Sequence, residues 1–404
     1  MDQQKLRVYL FRIFSFLKWI LIPFGICLVI SHKIEQTDIP PQATFTFEEH
    51  CKFYNYSFEK YTVTTDDDYI LSLYRIPGKN PGPPVLLIHG LSNSANCFIV
   101  NQCAHPPAFI LADQNFDIWL GNCRGSHLSR GHKYWNATID EQYWDWSFPD
   151  IALYDLPAFV SFVKNHTGHE KIGMVGHSQG AAAILWMLGY YPHMKDDLAV
   201  GVLIGTSGSI FTSESPYIQF LSSSWLHFLC EVIGINVISD WSDDLFLTKF
   251  IQAFPEIAIL IAHDLYDIKL NSGLPEHLGT YYHRMRGGTS IKNLKFWRQA
   301  VNNQSKNPKL YDYGPEENIK KYGSSNPPSI NFMDIETPLA VINGKYDLAV
   351  PQKDSLVLKE SIKKEKLVFY HDEYPHDHGG LMFSCNMTYF YQDVTQLLKK
   401  YLSQ

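Results

Sequence analysis

Short apolar runs and segments with helical spacing alternate along most of the chain. The runs predicted as strands span residues 84–88, 116–120, 171–175, 198–205, 338–343 and 366–370, and the segments predicted as helices span residues 106–113, 149–165, 179–190, 351–363 and 386–402. Such alternation favours a parallel sheet covered on both faces, because each helix returns the chain to the start of the next strand. A β-hairpin at residues 61–76 precedes it. The predicted fold class is therefore α/β, with a mostly parallel central sheet and helices on both faces.

The alternation stops between about residues 207 and 330 and then resumes. This stretch contains apolar helical segments, such as residues 254–268, which polar loops separate. It follows the carboxyl end of a strand, and α/β sheets build their sites at that edge. We therefore predict a largely helical cap at residues 207–330, inserted into a core made of residues 45–206 and 331–404.

The amino terminus has the composition of a targeting segment. An uninterrupted apolar run covers residues 19–30, and it is preceded by the basic residues Lys5, Arg7, Arg12 and Lys18. Residues 1–31 are predicted to be a signal peptide or a signal anchor, and the two alternatives stay open. In both cases the remainder of the chain is translocated. We expect the secretory pathway, with the catalytic domain in the lysosomal or vacuolar lumen, outside the cell, or on the lumenal side of a single-pass anchor.

Five N-x-[ST] sequences agree with translocation, since this sequence is the acceptor for N-linked glycans in the secretory pathway. The acceptors are Asn55, Asn136, Asn165, Asn303 and Asn386. The seven cysteines leave disulfide pairing open, although the spacing of Cys97 and Cys103 would suit a small loop. No C-x-x-C pair or matched Cys/His set appears, so no structural zinc is expected.

Composition narrows the class of partner. Hydrophobic residues make up 45% of the chain and charged residues 19%, which favours a packed core over disorder. The net charge is -7 and the chain has no long Lys/Arg tract. Nucleic-acid binders usually have a basic surface, so we exclude nucleic acid as a partner.

One glycine-flanked serine is the candidate nucleophile. Gly176-His177-Ser178-Gln179-Gly180 follows a predicted strand and opens a predicted helix, which is the setting that the G-x-S-x-G motif requires. The flanking glycines would let strand and helix approach closely, while the sharp turn projects the hydroxyl above the sheet edge. The alternative is an ordinary glycine-rich turn. We predict that Ser178 is a nucleophile.

A serine hydroxyl needs a base to take its proton and an acid to orient that base. Asp347 lies just beyond the predicted strand 338–343, at the carboxyl end where such an acid belongs, although a solvated turn aspartate is the alternative. The loop after residue 370 offers three candidate bases, which are His371, His376 and His378. The alternative interpretation is that His376 and His378 form an H-x-H metal site. It ranks lower because Gly379-Gly380 follows, and we predict no metal.

The developing oxyanion needs backbone N–H donors. Gln179, the residue after the nucleophile, can supply one donor. Leu91, in the loop His89-Gly90-Leu91 after an early strand, can supply the other, because Gly90 permits the required turn. His89 precedes the serine and is expected to have a supporting role.

Beyond these residues, the chain resembles the acid lipase family, which includes gastric and lysosomal lipases and membrane-anchored steryl ester hydrolases of yeast. The resemblance covers roughly residues 45–402. The core segments that carry it are Asp68-Tyr69-Ile70-Leu71, Arg75-Ile76-Pro77, His89-Gly90-Leu91, Phe109-Ile110-Leu111-Ala112-Asp113, Asp117-Ile118-Trp119-Leu120-Gly121-Asn122-Cys123-Arg124-Gly125 and Tyr154-Asp155-Leu156-Pro157. The cap segments are Gly288-Thr289-Ser290, Trp297-Arg298-Gln299-Ala300-Val301 and Tyr311-Asp312-Tyr313-Gly314.

The resemblance implies an α/β-hydrolase fold and hydrolysis of triacylglycerols or sterol esters, with no metal or organic cofactor. It also implies a triad of Ser178, Asp347 and a C-terminal histidine, with Leu91 and Gln179 as oxyanion donors. The family histidine lies in an Asn-His-x-Asp-Phe context, to which Asp377-His378-Gly379-Gly380 is the better match. We choose His378, with His376 as the alternative. The cap contains one cysteine, Cys230, so the cap disulfide of many relatives cannot form within it.

These observations predict a serine ester hydrolase that acts on lipid esters at a membrane, lipid-droplet or emulsion interface. Three rivals stay open: an acyltransferase or thioesterase that uses the same triad, a noncatalytic lipid-binding relative, and a metallohydrolase.

Overall fold

The computed structural model of the protein describes residues 27–78, 82–208, 212–238, 245–256, 277–285, 287–303 and 307–403. Its central sheet has the strand order β1-β2-β4-β3-β6-β7-β10-β11, with β5 paired to β2. The strands are β1 (Glu59–Thr64), β2 (Tyr69–Ile76), β3 (Pro84–Ile88), β4 (Asp117–Gly121), β5 (Gly131–His132), β6 (Ile172–His177), β7 (Leu198–Ile204), β10 (Leu339–Gly344) and β11 (Leu367–Tyr374), while β8 (Val237–Ile238) and β9 (Thr289–Ser290) form a separate antiparallel pair.

The sheet is antiparallel at one end and parallel across the rest. Strands β1 and β2 form the expected antiparallel hairpin, and β2 also pairs antiparallel with β4. From β4 to β11 every neighbouring pair is parallel. The carboxyl ends of these parallel strands therefore share one edge. The predicted α/β class with a mostly parallel sheet is confirmed.

Helices cover both faces of the sheet. From residue 40 onward, the described α-helices of at least four residues are α1 (Phe47–Phe53), α2 (Pro107–Asp113), α3 (Leu156–Thr167), α4 (Gln179–Tyr190), α5 (Pro216–Leu221), α6 (Ser224–Ile233), α7 (Leu245–Ala253), α8 (Leu278–Arg284), α9 (Ile291–Asn303), α10 (Pro315–Tyr322), α11 (Gln352–Ser361), α12 (Gly380–Phe383) and α13 (Thr395–Leu402). Side chains alternate between the two faces along each strand. Leu86 and Met174 accordingly join one large apolar cluster, whereas Leu87 and Val175 join the other.

Both apolar layers are buried and contain large aromatic side chains. One contains Trp119, Phe148 and Phe159, and the other contains Phe98, Phe109 and Phe390. This burial explains why the strands read as continuous apolar runs, since a parallel sheet covered on both sides has no solvated face.

The chain leaves the sheet at the end of β7 and returns at β10, its parallel neighbour. The described residues between these strands, which include α5 to α10, are called the insertion below. Of the helical segment predicted at residues 254–268, residues 257–268 lie outside the described part. That the insertion is a separate cap domain stays a prediction, as do the boundaries of the two core segments.

The amino-terminal prediction lies mostly outside the described residues, which begin at Cys27 in a helical stretch that reaches residue 35. Across the ranges that the structure describes, no helix has both the length and the apolar character needed to cross a membrane.

Cysteine pairing differs from the small loop that the spacing suggested. Cys103 bonds to Cys385, with 4.7 Å between their Cα atoms, and not to Cys97. Cys97 is instead a buried free thiol in the apolar cluster that contains Phe98 and Phe109. Spacing alone could not reveal this pair, because it joins positions 282 residues apart.

Candidate active site

Ser178 occupies a sharp turn between β6 and α4. Its backbone angles are φ 55° and ψ -123°, outside the regions that residues with a Cβ usually adopt. The Ser178 N–H donates to the Ile204 carbonyl of the neighbouring strand, and the Ser178 carbonyl accepts from the Ala182 N–H in the first turn of α4. These bonds hold the strained conformation from both sides. Such strain is typical of positions at which a fold projects a reactive side chain.

Two glycines make this turn possible by removing Cβ atoms. A Cβ at Gly176 would lie 2.5 Å from the Ala181 nitrogen, and one at Gly180 would lie 2.3 Å from the Ile88 carbonyl oxygen. Both obstacles are backbone atoms that cannot rotate away. The close approach of strand and helix that was expected for these glycines is thus present.

His378 joins Ser178 to Asp347. Its Nε2 lies 2.9 Å from Ser178 Oγ, and its Nδ1 lies 2.8 Å from Asp347 Oδ2. The Asp347 carboxylate is buried, and its Oδ1 accepts a hydrogen bond from the Val350 N–H. A carboxylate accepts a hydrogen bond from the Nδ1–H group, so the lone pair is on Nε2 and can take a proton from the hydroxyl. The geometry is that of a nucleophile, a base and an orienting acid.

Backbone contacts between two loops bring the acid and the base together. The Lys345 N–H donates to the Tyr374 carbonyl, and the Tyr346 N–H donates to the His376 carbonyl. A Cβ at Gly344 would lie 2.2 Å from the His376 carbonyl oxygen, so this approach requires glycine. The loops after β10 and β11 therefore lie against each other just beyond the sheet edge.

The two other candidate bases have different contacts. His376 is buried with its ring 5.7 Å from that of Tyr389, and burial lowers its pKa. His371 stacks on Tyr374 at 3.8 Å, and its Nδ1 accepts from the Glu373 N–H. The geometry favours His378 as the base, and the assignment of that role stays a proposal.

Two further histidines lie beside the serine turn, and their lowered pKa values keep both rings neutral at neutral pH. His89 Nε2 accepts from the Cys123 N–H, so its Nδ1 carries the proton and donates to the Gly90 carbonyl. Burial lowers the pKa of His89 to about 4. Burial and the nearby His378 lower the pKa of His177 to about 3. His177 Nε2 donates to the His378 carbonyl at 3.3 Å, a contact that the sequence motif did not suggest.

The predicted oxyanion donors flank Ser178. Gln179 opens α4, and the first N–H groups of a helix have no partner within it. A Cβ at Gly90 would lie 3.0 Å from the Ser178 Cβ, so the loop that carries Leu91 runs directly beside the serine. The roles of Leu91 and Gln179 as oxyanion donors stay predictions.

The insertion contacts the serine turn through the Gln179 side chain. Gln179 Oε1 accepts from Trp297 Nε1 at 2.8 Å and from Asn293 Nδ2 at 3.0 Å, and both donors lie on α9. An indole N–H can only donate, so Trp297 fixes which end of the Gln179 amide faces α9. Sequence analysis singled out Gln179 for its backbone only, because amide contacts across a fold leave no periodic signal.

No group of three His, Cys, Asp or Glu side chains suited to hold a metal ion occurs among the described residues. At the H-x-H sequence, the His378 ring reaches Ser178 and Asp347, whereas the His376 ring packs on Tyr389. The two imidazoles thus have different neighbours.

The chain matches two family models and several curated lipases. A family model described as "alpha/beta hydrolase fold" matches residues 83–379, and one described as "Partial alpha/beta-hydrolase lipase region" matches residues 47–102. "Lipase member K" of Homo sapiens is 30% identical, with 90% of this chain and 92% of that protein covered. "Lysosomal acid lipase/cholesteryl ester hydrolase" and "Gastric triacylglycerol lipase" of Homo sapiens are 29% and 30% identical, with 90% and 89% of this chain and 93% and 92% of those proteins covered.

Among solved structures, a soluble variant of monoglyceride lipase from Saccharomyces cerevisiae matches with a TM-score of 0.54. The match covers 86% of this chain and 96% of that chain at 14% sequence identity, which is evidence for a shared fold alone.

Proposed function

The chain belongs to the acid lipase family, whose members have the α/β-hydrolase fold. From this membership we propose that the chain is a carboxylic ester hydrolase that cleaves lipid esters. The observation that carries the proposal is the continuous contact from Asp347 through His378 to Ser178, with distances of 2.8 Å and 2.9 Å. Three side chains from three loops at one sheet edge have the order and spacing that acyl transfer from an ester to serine needs.

The proposed reaction has two halves. Ser178 Oγ attacks the ester carbonyl carbon while His378 Nε2 takes its proton, and the N–H groups of Leu91 and Gln179 stabilise the negative oxygen. The bond to the alcohol then breaks as the imidazolium returns the proton to the leaving oxygen. Water repeats the sequence on the acyl-enzyme and releases the fatty acid. Asp347 keeps the imidazole in the required tautomer. No cofactor is needed for these steps.

The proposed substrates are triacylglycerols or sterol esters. The names of the human lysosomal and gastric relatives refer to these lipid classes. An apolar face of α6 offers further support, since Trp225, Phe228 and Val232 recur at helical spacing and are exposed. Such a face suits contact with the lipid interface at which these water-insoluble esters reside.

We propose that the insertion forms the cap over the site. Its helix α9 reaches the serine turn through Asn293 and Trp297, which bond to Gln179 beside Ser178. Because α9 lies this close to the nucleophile, it would contact the acyl or sterol part of a substrate.

The proposed location is the secretory pathway, the lysosomal or vacuolar lumen, or the cell exterior. A disulfide between Cys103 and Cys385 favours an oxidising compartment. Four acceptor asparagines, Asn55, Asn136, Asn165 and Asn386, are exposed, as glycosylation requires. Whether residues 1–31 act as a cleaved signal peptide or as an anchor is tested by sequencing the amino terminus of the mature protein purified from whole cells and medium.

The experiment for this proposal compares substrates on purified full-length protein. Triacylglycerol, sterol ester and short-chain ester emulsions are incubated with wild type and with Ser178→Ala, and released fatty acid is titrated. The proposal expects release from at least one long-chain ester by wild type, insensitive to a chelator. Transfer of the acyl group to an added alcohol in place of water would support the acyltransferase, and no turnover or phosphonate labelling would support a noncatalytic lipid-binding protein.

A further inference from the structure

The segment that carries His378 is bonded on its other side to the loop at residues 101–104. Asn101 is fully buried in that loop, and both ends of its side-chain amide are used. Oδ1 accepts from the N–H groups of Cys103 and Ala104, each at 3.0 Å. Nδ2 donates to the carbonyls of Met382 and Ser384, at 3.3 and 3.1 Å. The surroundings fix the amide orientation, because two N–H groups face one end and two carbonyls face the other.

The Cys103–Cys385 disulfide links the same two segments covalently. It lies beside the Asn101 bonds, since Cys103 is one of the residues whose N–H binds Asn101 and Cys385 follows Ser384. We call Asn101 and this disulfide together the clamp. The clamp restrains the residues after His378, while the backbone bonds of Tyr374 and His376 restrain those before it.

The loop at residues 101–104 also contacts the insertion. The Gln102 N–H donates to the Tyr281 hydroxyl on α8 at 3.1 Å, and the Tyr281 ring lies 5.3 Å from that of Phe383 on α12. Tyr281 and Phe383 are both buried. The loop at 101–104 therefore contacts both the insertion and the histidine segment.

We propose that Asn101, assisted by the Cys103–Cys385 disulfide, is a positioning residue that holds the His378 imidazole in line with the Ser178 hydroxyl. The inference rests on the proposed ester hydrolysis, because it concerns the base of that reaction. The physical reason is that proton transfer falls off steeply when donor and acceptor are misplaced, and a shift of about 1 Å can cost two orders of magnitude in rate. His378 is followed by a short loop and the single turn α12. Hydrogen bonds at Met382 and Ser384 therefore limit the movement of His378 relative to Ser178.

Two substitutions test the donor end (Nδ2) and the acceptor end (Oδ1) of the Asn101 amide separately. Asn101→Asp keeps an acceptor for the Cys103 and Ala104 N–H groups but loses both donors to the histidine segment. Asn101→Ala loses both ends. Asn318→Ala is the matched control, because Asn318 is also buried and bonds through both ends of its amide, to the Tyr313 N–H and to the Ser325 carbonyl.

The measurements are kcat and KM on a soluble ester, with the rate and endpoint of labelling by a fluorophosphonate. Both Asn101 variants are expected to lower kcat and the labelling rate by about tenfold. KM stays within about twofold, because Asn101 is not placed against the substrate. The labelled fraction at the endpoint stays that of wild type, and Asn318→Ala keeps the wild-type labelling rate. A merely structural role would lower the endpoint and leave the rate per labelled molecule unchanged.

The inference is overturned if Asn101→Asp labels and turns over like wild type, or if the loss in the Asn101 variants appears only in the endpoint. If neither variant folds, the double variant Cys103→Ser with Cys385→Ser decides. A fall in its labelling rate supports the clamp, and a wild-type rate overturns it. Failure of wild type to hydrolyse or label would instead refute the proposed function.

Discussion

His378 Nε2 lies 2.9 Å from Ser178 Oγ, although the two residues are 200 positions apart in sequence. Strand order explains the meeting, because β6, β7, β10 and β11 are successive parallel neighbours and their carboxyl ends share one edge. Ser178 follows β6, Asp347 follows β10 and His378 follows β11. The insertion between β7 and β10 lengthens the chain without changing that adjacency.

Asp347→Asn is expected to lower kcat by about 10²- to 10⁴-fold with little loss of stability. The amide can still accept from the Val350 N–H, but its NH₂ group would face His378 Nδ1 and favour the wrong tautomer. Asp354→Asn is the control, since Asp354 is a buried carboxylate that accepts from Thr212 instead. Steady-state kinetics on a soluble ester measure kcat of both variants. Equal losses in the two variants would contradict the orienting role of Asp347.

His378→Ala and His376→Ala are expected to fail in different ways. The first should lower kcat by at least about 10³-fold at nearly normal stability, because the base is lost. The second should keep most of kcat and lose roughly 1–3 kcal/mol of unfolding free energy, because a buried ring leaves its place beside Tyr389. Kinetics combined with urea unfolding separates the two losses. An inactive but stable His376 variant would move the base to that position.

Gly180→Ala is expected to cost about 3 kcal/mol or more, or to prevent folding. The added methyl would overlap the backbone carbonyls of Ile88 and His89, at 2.3 and 2.5 Å, and neither can rotate aside. Gly168→Ala provides the comparison, since its Cβ would meet nothing within 4 Å and only its positive φ of 72° opposes the change. That variant should lose about 1 kcal/mol. Denaturant midpoints at matched protein concentration test the difference, and similar midpoints would contradict it.

The free energy of unfolding is expected to decrease as the pH is lowered, because of His50. Burial lowers the pKa of this fully buried histidine to about 4 in the folded protein, from 6.5 in the unfolded chain. The unfolded chain therefore binds a proton between pH 6.5 and 4 that the folded protein does not. The stabilisation is complete above pH 6.5 and decreases as the pH falls through this window, by about 1–3 kcal/mol.

Replacing His50 tests this directly. His50→Leu should reduce, without abolishing, the dependence of unfolding free energy on pH between 6.5 and 4, because burial also lowers the pKa of His89 and of His177. His193→Leu, at an exposed position, should keep the wild-type slope. Urea unfolding at pH 7, 5.5 and 4.5 provides the slopes. Identical slopes in wild type and His50→Leu would show that another group controls acid stability.

The sheet and the serine turn were predictable because both produce local patterns. The strand 84–88 was predicted with the bounds that β3 has, and α4 has the bounds predicted for residues 179–190. Apolar runs of strand length and apolar residues at helical spacing indicate buried elements, and β3 and α4 are buried along nearly their whole length. The serine motif is a local sequence pattern, and Gly176 is required by the nearby Ala181 backbone, although Gly180 is required by the Ile88 backbone, which is distant in sequence.

Features that depend on distant contacts were not predictable from the sequence. Three histidines within eight residues offered the same chemistry, and only the family resemblance favoured His378, whose ring the path of the loop brings to Ser178. The bond between Cys103 and Cys385, the four hydrogen bonds of Asn101 and the contact of Trp297 with Gln179 join residues with no shared periodicity. Asn101 looked like any loop asparagine until its partners were known.

The central claim is that Ser178 is the nucleophile of an ester hydrolase, and labelling with a long-chain fluorophosphonate tests it most directly. Ser129→Ala is the control, because Ser129 is buried and its hydroxyl accepts from the Ser72 N–H. Wild type and Ser129→Ala should take up one label per molecule on Ser178, located by peptide mass spectrometry, and should lose esterase activity in proportion. Ser178→Ala should neither label nor hydrolyse. Full hydrolysis by folded Ser178→Ala, or a label on another residue that accompanies inactivation, would contradict the account.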